Sequence, residues 1–133
     1  MKADDKTAAE ITALVHETFR RLSTPGSNPG ELLVHPDIVV MGSNKDDLMY
    51  GPEVVGQVSA LIAASAFSWK ANQILVWREG DVAWAQAIGT VTIRHDEVSK
   101  VVPYWTTGVF ARGDGGWQWR YFAGSRPHDE SWG

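Results

Sequence analysis

The chain has 133 residues, 44% of them apolar, 21% charged and 11% aromatic, and a formal charge of −4. That size supports one hydrophobic core, and the apolar content excludes bulk disorder. The acidic balance gives no field to attract phosphates, so no nucleic acid partner is expected, and the absence of cysteine excludes disulfides, thiolate metal sites and thiol nucleophiles.

Between Thr7 and Leu22, Ile11, Leu14, Val15, Phe19 and Leu22 recur at helical spacing, and Arg20 and Arg21 suit the negative end of a helix dipole. A first amphipathic helix is predicted there. Ser23 to Gly30 carries two prolines and two glycines and reads as a surface turn. Ile38 to Met41 is a brief β-branched run that predicts a short strand, and the polar stretch from Gly42 to Gly51 predicts turns. Pro52 suits the first turn of a second helix, in which Val54, Val58, Leu61 and Ile62 share one face up to about Ser65.

From Phe67 the apolar period changes to two. Four strands are predicted at Phe67 to Arg78, Val82 to Arg94, Ser99 to Arg112 and Gly116 to Ser125, joined by Gly/Asp turns into an antiparallel meander. Helices first and strands later mark an α+β fold. A single domain over 1–133 is expected, its core at about 7–127 and its polar tail at 128–133. No apolar run is long enough to cross a bilayer and no secretion signal opens the chain, so a cytoplasmic protein without membrane contact is expected.

Strict alternation places Ala83, Ala85, Ala87 and Gly89 on one face of the sheet. It groups Trp69 with Leu75 and Trp77, turns Trp117, Trp119, Tyr121 and Ala123 toward the helices, and turns Phe122 away. Two helices cover only one face. The Phe122 side is therefore expected to pack on a second copy, giving a homodimer through the sheet. Pro103, inside a long strand, requires an edge, an end or a bulge.

The run His35-Pro36-Asp37-Ile38-Val39-Val40-Met41-Gly42, then Gly51-Pro52-Glu53, Gly80-Asp81-Val82-Ala83-Trp84, Thr107-Gly108-Val109-Phe110 and Gly113-Asp114-Gly115-Gly116-Trp117 resembles the SnoaL-like group of the nuclear-transport-factor-2-like, or ketosteroid-isomerase-like, superfamily. The resemblance implies a cone-shaped α+β fold, N-terminal helices packed in a curved antiparallel sheet, with a hydrophobic pocket and usually a homodimer. That superfamily holds isomerases, cyclases, hydrolases, dehydratases, binders and assembly domains, so fold does not fix function. At the position of the isomerases' carboxylate base this chain has Met41 or Gly42, and at that of their tyrosine donor Thr18 or Phe19. The cyclases' aspartate aligns with Thr107 or Gly108, and a histidine common near the end of the last strand with Ala123.

His35 and Asp37 remain as candidate catalytic residues, a base and its orienter, although the intervening Pro36 also fits a turn that launches the strand. His16, His35, His95 and His128 are dispersed and no phosphate-binding glycine motif occurs, so neither metal nor cofactor is expected. Seven tryptophans, Trp132 included, must serve core, pocket or interface. The leading expectation is a pocket lined by Met41, Tyr50, Trp69, Trp84, Tyr104, Trp105, Trp119 and Tyr121 that takes a small apolar ligand without chemistry. The alternatives are a cofactor-independent isomerase, cyclase or hydrolase acting on a polyketide- or steroid-like substrate, and a structural dimerisation module.

Overall fold

The computed structural model describes residues 1–64 and 66–129. The expected end of the second helix at Ser65, Trp132 and the last four residues of the expected tail lie outside the described residues. Helix α1 spans Asp5–Leu22, two residues longer at its start than the apolar spacing predicts. Asp4 sets that start: its carboxylate accepts from the Thr7 backbone N–H at 3.1 Å and from the Thr7 hydroxyl at 2.6 Å, satisfying an otherwise orphaned first-turn donor. The buried stripe of α1 is Ile11, Val15, Phe19 and Leu22. At its other end the Ser23 hydroxyl donates to the Phe19 carbonyl and accepts the Trp69 backbone N–H, which ties the helix to the sheet.

The strands are β1 (Val39–Met41), β2 (Leu48–Tyr50), β3 (Phe67–Glu79), β4 (Val82–His95), β5 (Val98–Gly113) and β6 (Gly116–Ser125), with helix α2 (Val54–Ala64) between β2 and β3. They form one sheet in the order β2-β1-β6-β5-β4-β3. The long strands make the predicted antiparallel meander. The sheet as a whole is mixed, because β1 runs parallel to β6. Strand β2 falls in the stretch read as turns: three residues, Leu48 to Tyr50, are too few to show a period, and they become a strand by pairing with β1. Among the described residues no helix is long and apolar enough to cross a membrane.

Two bulges correct the faces read from strict alternation. In β3 the register shifts between Ala71 and Gln73, leaving Asn72 unpaired; in β6 it shifts opposite Val109 and Phe110, leaving Arg120 unpaired. One extra residue moves everything beyond it to the other face. Trp69 therefore faces the helices together with Ile74 and Val76, while Leu75 and Trp77 face outward. Likewise Phe122 joins Trp117 and Trp119 in the core, 5% exposed, and Tyr121 and Ala123 turn outward. The expected burial of Phe122 against a second copy is thus overturned: its ring lies 5.1 Å from that of Trp119 and 6.5 Å from that of Phe19.

The predicted small face of β4 is buried, Ala83, Ala85 and Ala87 each lying in the core cluster with α1 and α2 residues. Strand β6 pairs with β5 only from Trp105 to Gly113. Residues 98–104 of β5, paired with β4 on one side, thus have no strand on the other side among the described residues, and Pro103 sits there.

Candidate functional site

Between α2 and the inner face of the sheet lies an apolar cavity of about 50 Å³. Its walls include Leu22 of α1, Val58, Leu61 and Ile62 of α2, Val40 and Met49 of the short hairpin, and Phe122, Trp69 and Tyr104 of the long strands. A second lobe of about 70 Å³ shares Gly42, Leu61, Trp69 and Tyr104 and adds Phe67 and Val91 together with Ser43, Asn44, Asp47 and Arg126. The Trp69–Tyr104 pair, edge to face at 6.3 Å, thus stands between an apolar chamber and a mouth of mixed apolar and polar walls.

Tyr104 holds its position because Gly124 leaves room for it: a Cβ on Gly124 would clash with the phenol oxygen. Burial pushes the Tyr104 hydroxyl above its ordinary range; the neighbouring Trp69 N–H and the Arg126 charge oppose that rise, and the Asp47 charge adds to it. Trp69 Nε1 is buried and has no hydrogen-bond partner of acceptable geometry, although it lies beside the Tyr104 hydroxyl. A buried donor without a partner costs about 1–3 kcal/mol.

The mouth is shaped by the β1–β2 turn, where Asp47 accepts the Asn44 N–H at 3.1 Å and the Gly42 N–H donates to the Asp47 carbonyl. A Cβ at Gly42 would meet the Asp47 carboxylate at 2.6 Å. The Asp47 carboxylate thus lies against the Gly42 backbone from across the hairpin. Sequence reading passed over Asp47, Ser43 and Arg126, which lie in a polar loop and just past the last strand.

Of the eight expected lining residues, Trp69 and Tyr104 border this cavity. Met41, Tyr50, Trp84, Trp105 and Tyr121 stand on the other face of the sheet, because the paired positions run Tyr50-Val39-Tyr121-Val109-Trp84-Trp77 in one outward row and Met41 and Trp105 in the next two. Trp119, 1% exposed, is core: its indole donates to the Thr18 hydroxyl at 2.9 Å, and its ring packs on Phe110 and Phe122.

Trp119 also borders a separate cavity of about 150 Å³ with His35, Leu14 and Trp117. There His35 Nδ1 accepts the Asp37 backbone N–H at 3.0 Å, the geometry of a strand-launching turn. With its lone pair engaged in that bond, Nδ1 carries no hydrogen to donate to the Asp37 carboxylate, so that carboxylate does not orient the ring. Among the described residues no three His, Asp or Glu side chains gather to hold a metal.

Solved structures share this architecture. A nuclear transport factor 2-like superfamily protein from Salmonella enterica superposes with a TM-score of 0.82 at 15% identity, over 97% of this chain and 96% of its own. A proposed dehydratase of the same family from Streptomyces avermitilis reaches 0.79 at 15% identity, over 94% and 99%. The CaMKII hub of S. rosetta reaches 0.72 at 17% identity, over 96% and 100%. A search of curated proteins finds no significant match. At these identities the likeness shows the fold alone, α+β of the nuclear-transport-factor-2-like type. The SnoaL-like domain profile, however, matches residues 30–129, from the turn after α1 through β6, and the chain belongs to that family.

Proposed function

We propose that the protein binds a small, largely apolar molecule in the chamber between α2 and the sheet, with the ligand's polar end at the Trp69–Tyr104 pair. One observation carries this reading: the chamber is walled by apolar side chains, yet the buried indole N–H beside it is unpartnered. A ligand that satisfied the indole would recover the cost of leaving it bare. The chamber is smaller than the roughly 150 Å³ that admits benzene in an engineered cavity, so binding requires a wall to move. Helix α2 is the wall placed to do so, because Ile62 borders the chamber on one side and two open clefts on the other. Titration with toluene, followed by NMR at the Leu61 and Ile62 methyl groups and the Trp69 indole, should give saturable shifts confined to this region. Shifts that grow linearly without saturation would reject the binding site.

Self-association through the outer face of the sheet is a second reading, and a row of apolar side chains supports it. Tyr50, Val39, Tyr121, Val109, Trp84 and Trp77 line up across all six strands, and neither helix covers them. Two copies packed on this row would bury it. Light scattering at micromolar concentration should then give twice the chain mass, and Trp84→Asp should give a folded monomer; a monomeric parent protein overturns the reading.

A further inference from the structure

Two open clefts of about 370 Å³ each lie beside the C-terminal half of α2. Pro25 and Ile62 border both, so the two run together as one surface groove between α2 and the turn that follows α1. Leu22, Pro29 and Phe67 add apolar wall, and among the described residues that line the groove Arg94 alone carries a charge. We propose that this groove binds an aliphatic monocarboxylate, with the carboxylate on Arg94 and the chain laid along Ile62 and Pro25 toward Pro29. The site is separate from the chamber: Leu22 and Ile62 border both and form the partition between them.

Arg94 points to the head group. Arg20, Arg21, Arg78 and Arg112 each pair with a carboxylate of the chain. The Arg94 side chain has neither an ion pair nor a hydrogen bond among the described residues. Its backbone N–H donates to the Ala66 carbonyl at 3.1 Å, which roots the side chain at the groove. A guanidinium presents a planar fork of donors that matches the two oxygens of a carboxylate. One cation in a chain of net charge −4 suits a monoanion better than a phosphate dianion, whose second charge would go uncompensated.

Because Arg94 is exposed, water already satisfies it, and the ion pair adds little affinity while fixing which end of the ligand lies there. The chain must supply the rest. The wall it meets is built in advance: the Ser27 hydroxyl lies 2.7 Å from both the Arg21 and the Thr24 carbonyls, and the rings of Pro25 and Pro29 fix their own φ. A wall that needs no ordering on binding spares the entropy that would oppose a weak ligand.

Octanoate, 1-octanol and octylammonium share one chain and differ in the charge of the head, and hexanoate is shorter by two methylenes. Affinities are read by NMR titration of the folded chain at pH 7, with the Arg94 Nε–H and the Ile62 and Phe67 side chains as reporters. Octanoate should bind about threefold to fivefold tighter than 1-octanol at low salt, the size an exposed ion pair supplies. That gap should close in about 1 M salt. Octylammonium should bind most weakly. Hexanoate should bind about tenfold more weakly than octanoate, since each buried methylene is worth about threefold to fourfold. Arg94→Gln should bring octanoate down to the level of 1-octanol and leave 1-octanol, and toluene in the chamber, as they are.

Equal binding of octanoate and 1-octanol at low salt, an octanoate affinity untouched by Arg94→Gln, or no saturable shift with octanoate would each overturn the proposal. So would shifts confined to Val58 and Trp69, which line the chamber and not the groove.

Discussion

Gly124→Ala tests the geometry that holds the site together. The added methyl would clash with the Tyr104 hydroxyl and ring, so the phenol must leave its seat. Complete expulsion would re-expose about 150–250 Å² of aromatic surface, roughly 4–6 kcal/mol at 25 cal/mol per Å². Partial accommodation by backbone shifts brings overpacking down to about 1–3 kcal/mol, and a loss of about 2–4 kcal/mol is expected. Urea denaturation of Gly124→Ala, Tyr104→Val and the double variant forms a thermodynamic cycle. With the ring removed, the methyl has nothing to strike, so the second substitution should cost under about 0.5 kcal/mol in the Tyr104→Val background. The coupling should then be about 2 kcal/mol, which is large for contacting residues. Additive losses would show that the phenol does not lie over Gly124.

Thr18→Val removes the acceptor of the buried Trp119 indole and should cost about 1–3 kcal/mol in the same assay, whereas Trp119→Ala, a large-to-small change in the core, should cost about 3–5 kcal/mol. Glu17, held by Arg20 and then Arg21, has its carboxyl lowered to about 2 from an ordinary 4.5. Because the folded value lies below the unfolded one, its support of α1 is complete above pH 4.5 and fades as pH falls through about 2. A carboxyl carbon titration with its midpoint near 4.5 would contradict the pairing.

The helices and the four long strands were legible because periodicity and turn chemistry are local properties. The outward turn of Tyr121 and the burial of Phe122 were not. Both follow from a bulge at Arg120, a residue with neither glycine nor proline to mark it, and the same holds for Asn72 in β3. The site divides in the same way. Trp69 and Tyr104 stand out as strand aromatics, but Trp69 lies before the Asn72 bulge and could not be separated from Leu75 and Trp77 by alternation. Asp47 and Arg126 lie 79 positions apart in loop and tail, and only the pairing of β1 with both β2 and β6 brings them to one mouth.

The bare margin of β5 from Val98 to Tyr104 has a colloidal consequence. A strand flanked on one side only is a template on which another chain can grow, and Val98 and Val101 are exposed along this one. Pro103 withholds one amide from any incoming strand, and Lys100 sets a charge in its path, so the margin is blunted where β6 stops short. Resistance to strand addition along this margin thus draws on two residues that contribute little to the core. Exchanging Pro103 for a β-branched residue should open this margin to an added strand, with aggregation that rises with concentration in light scattering.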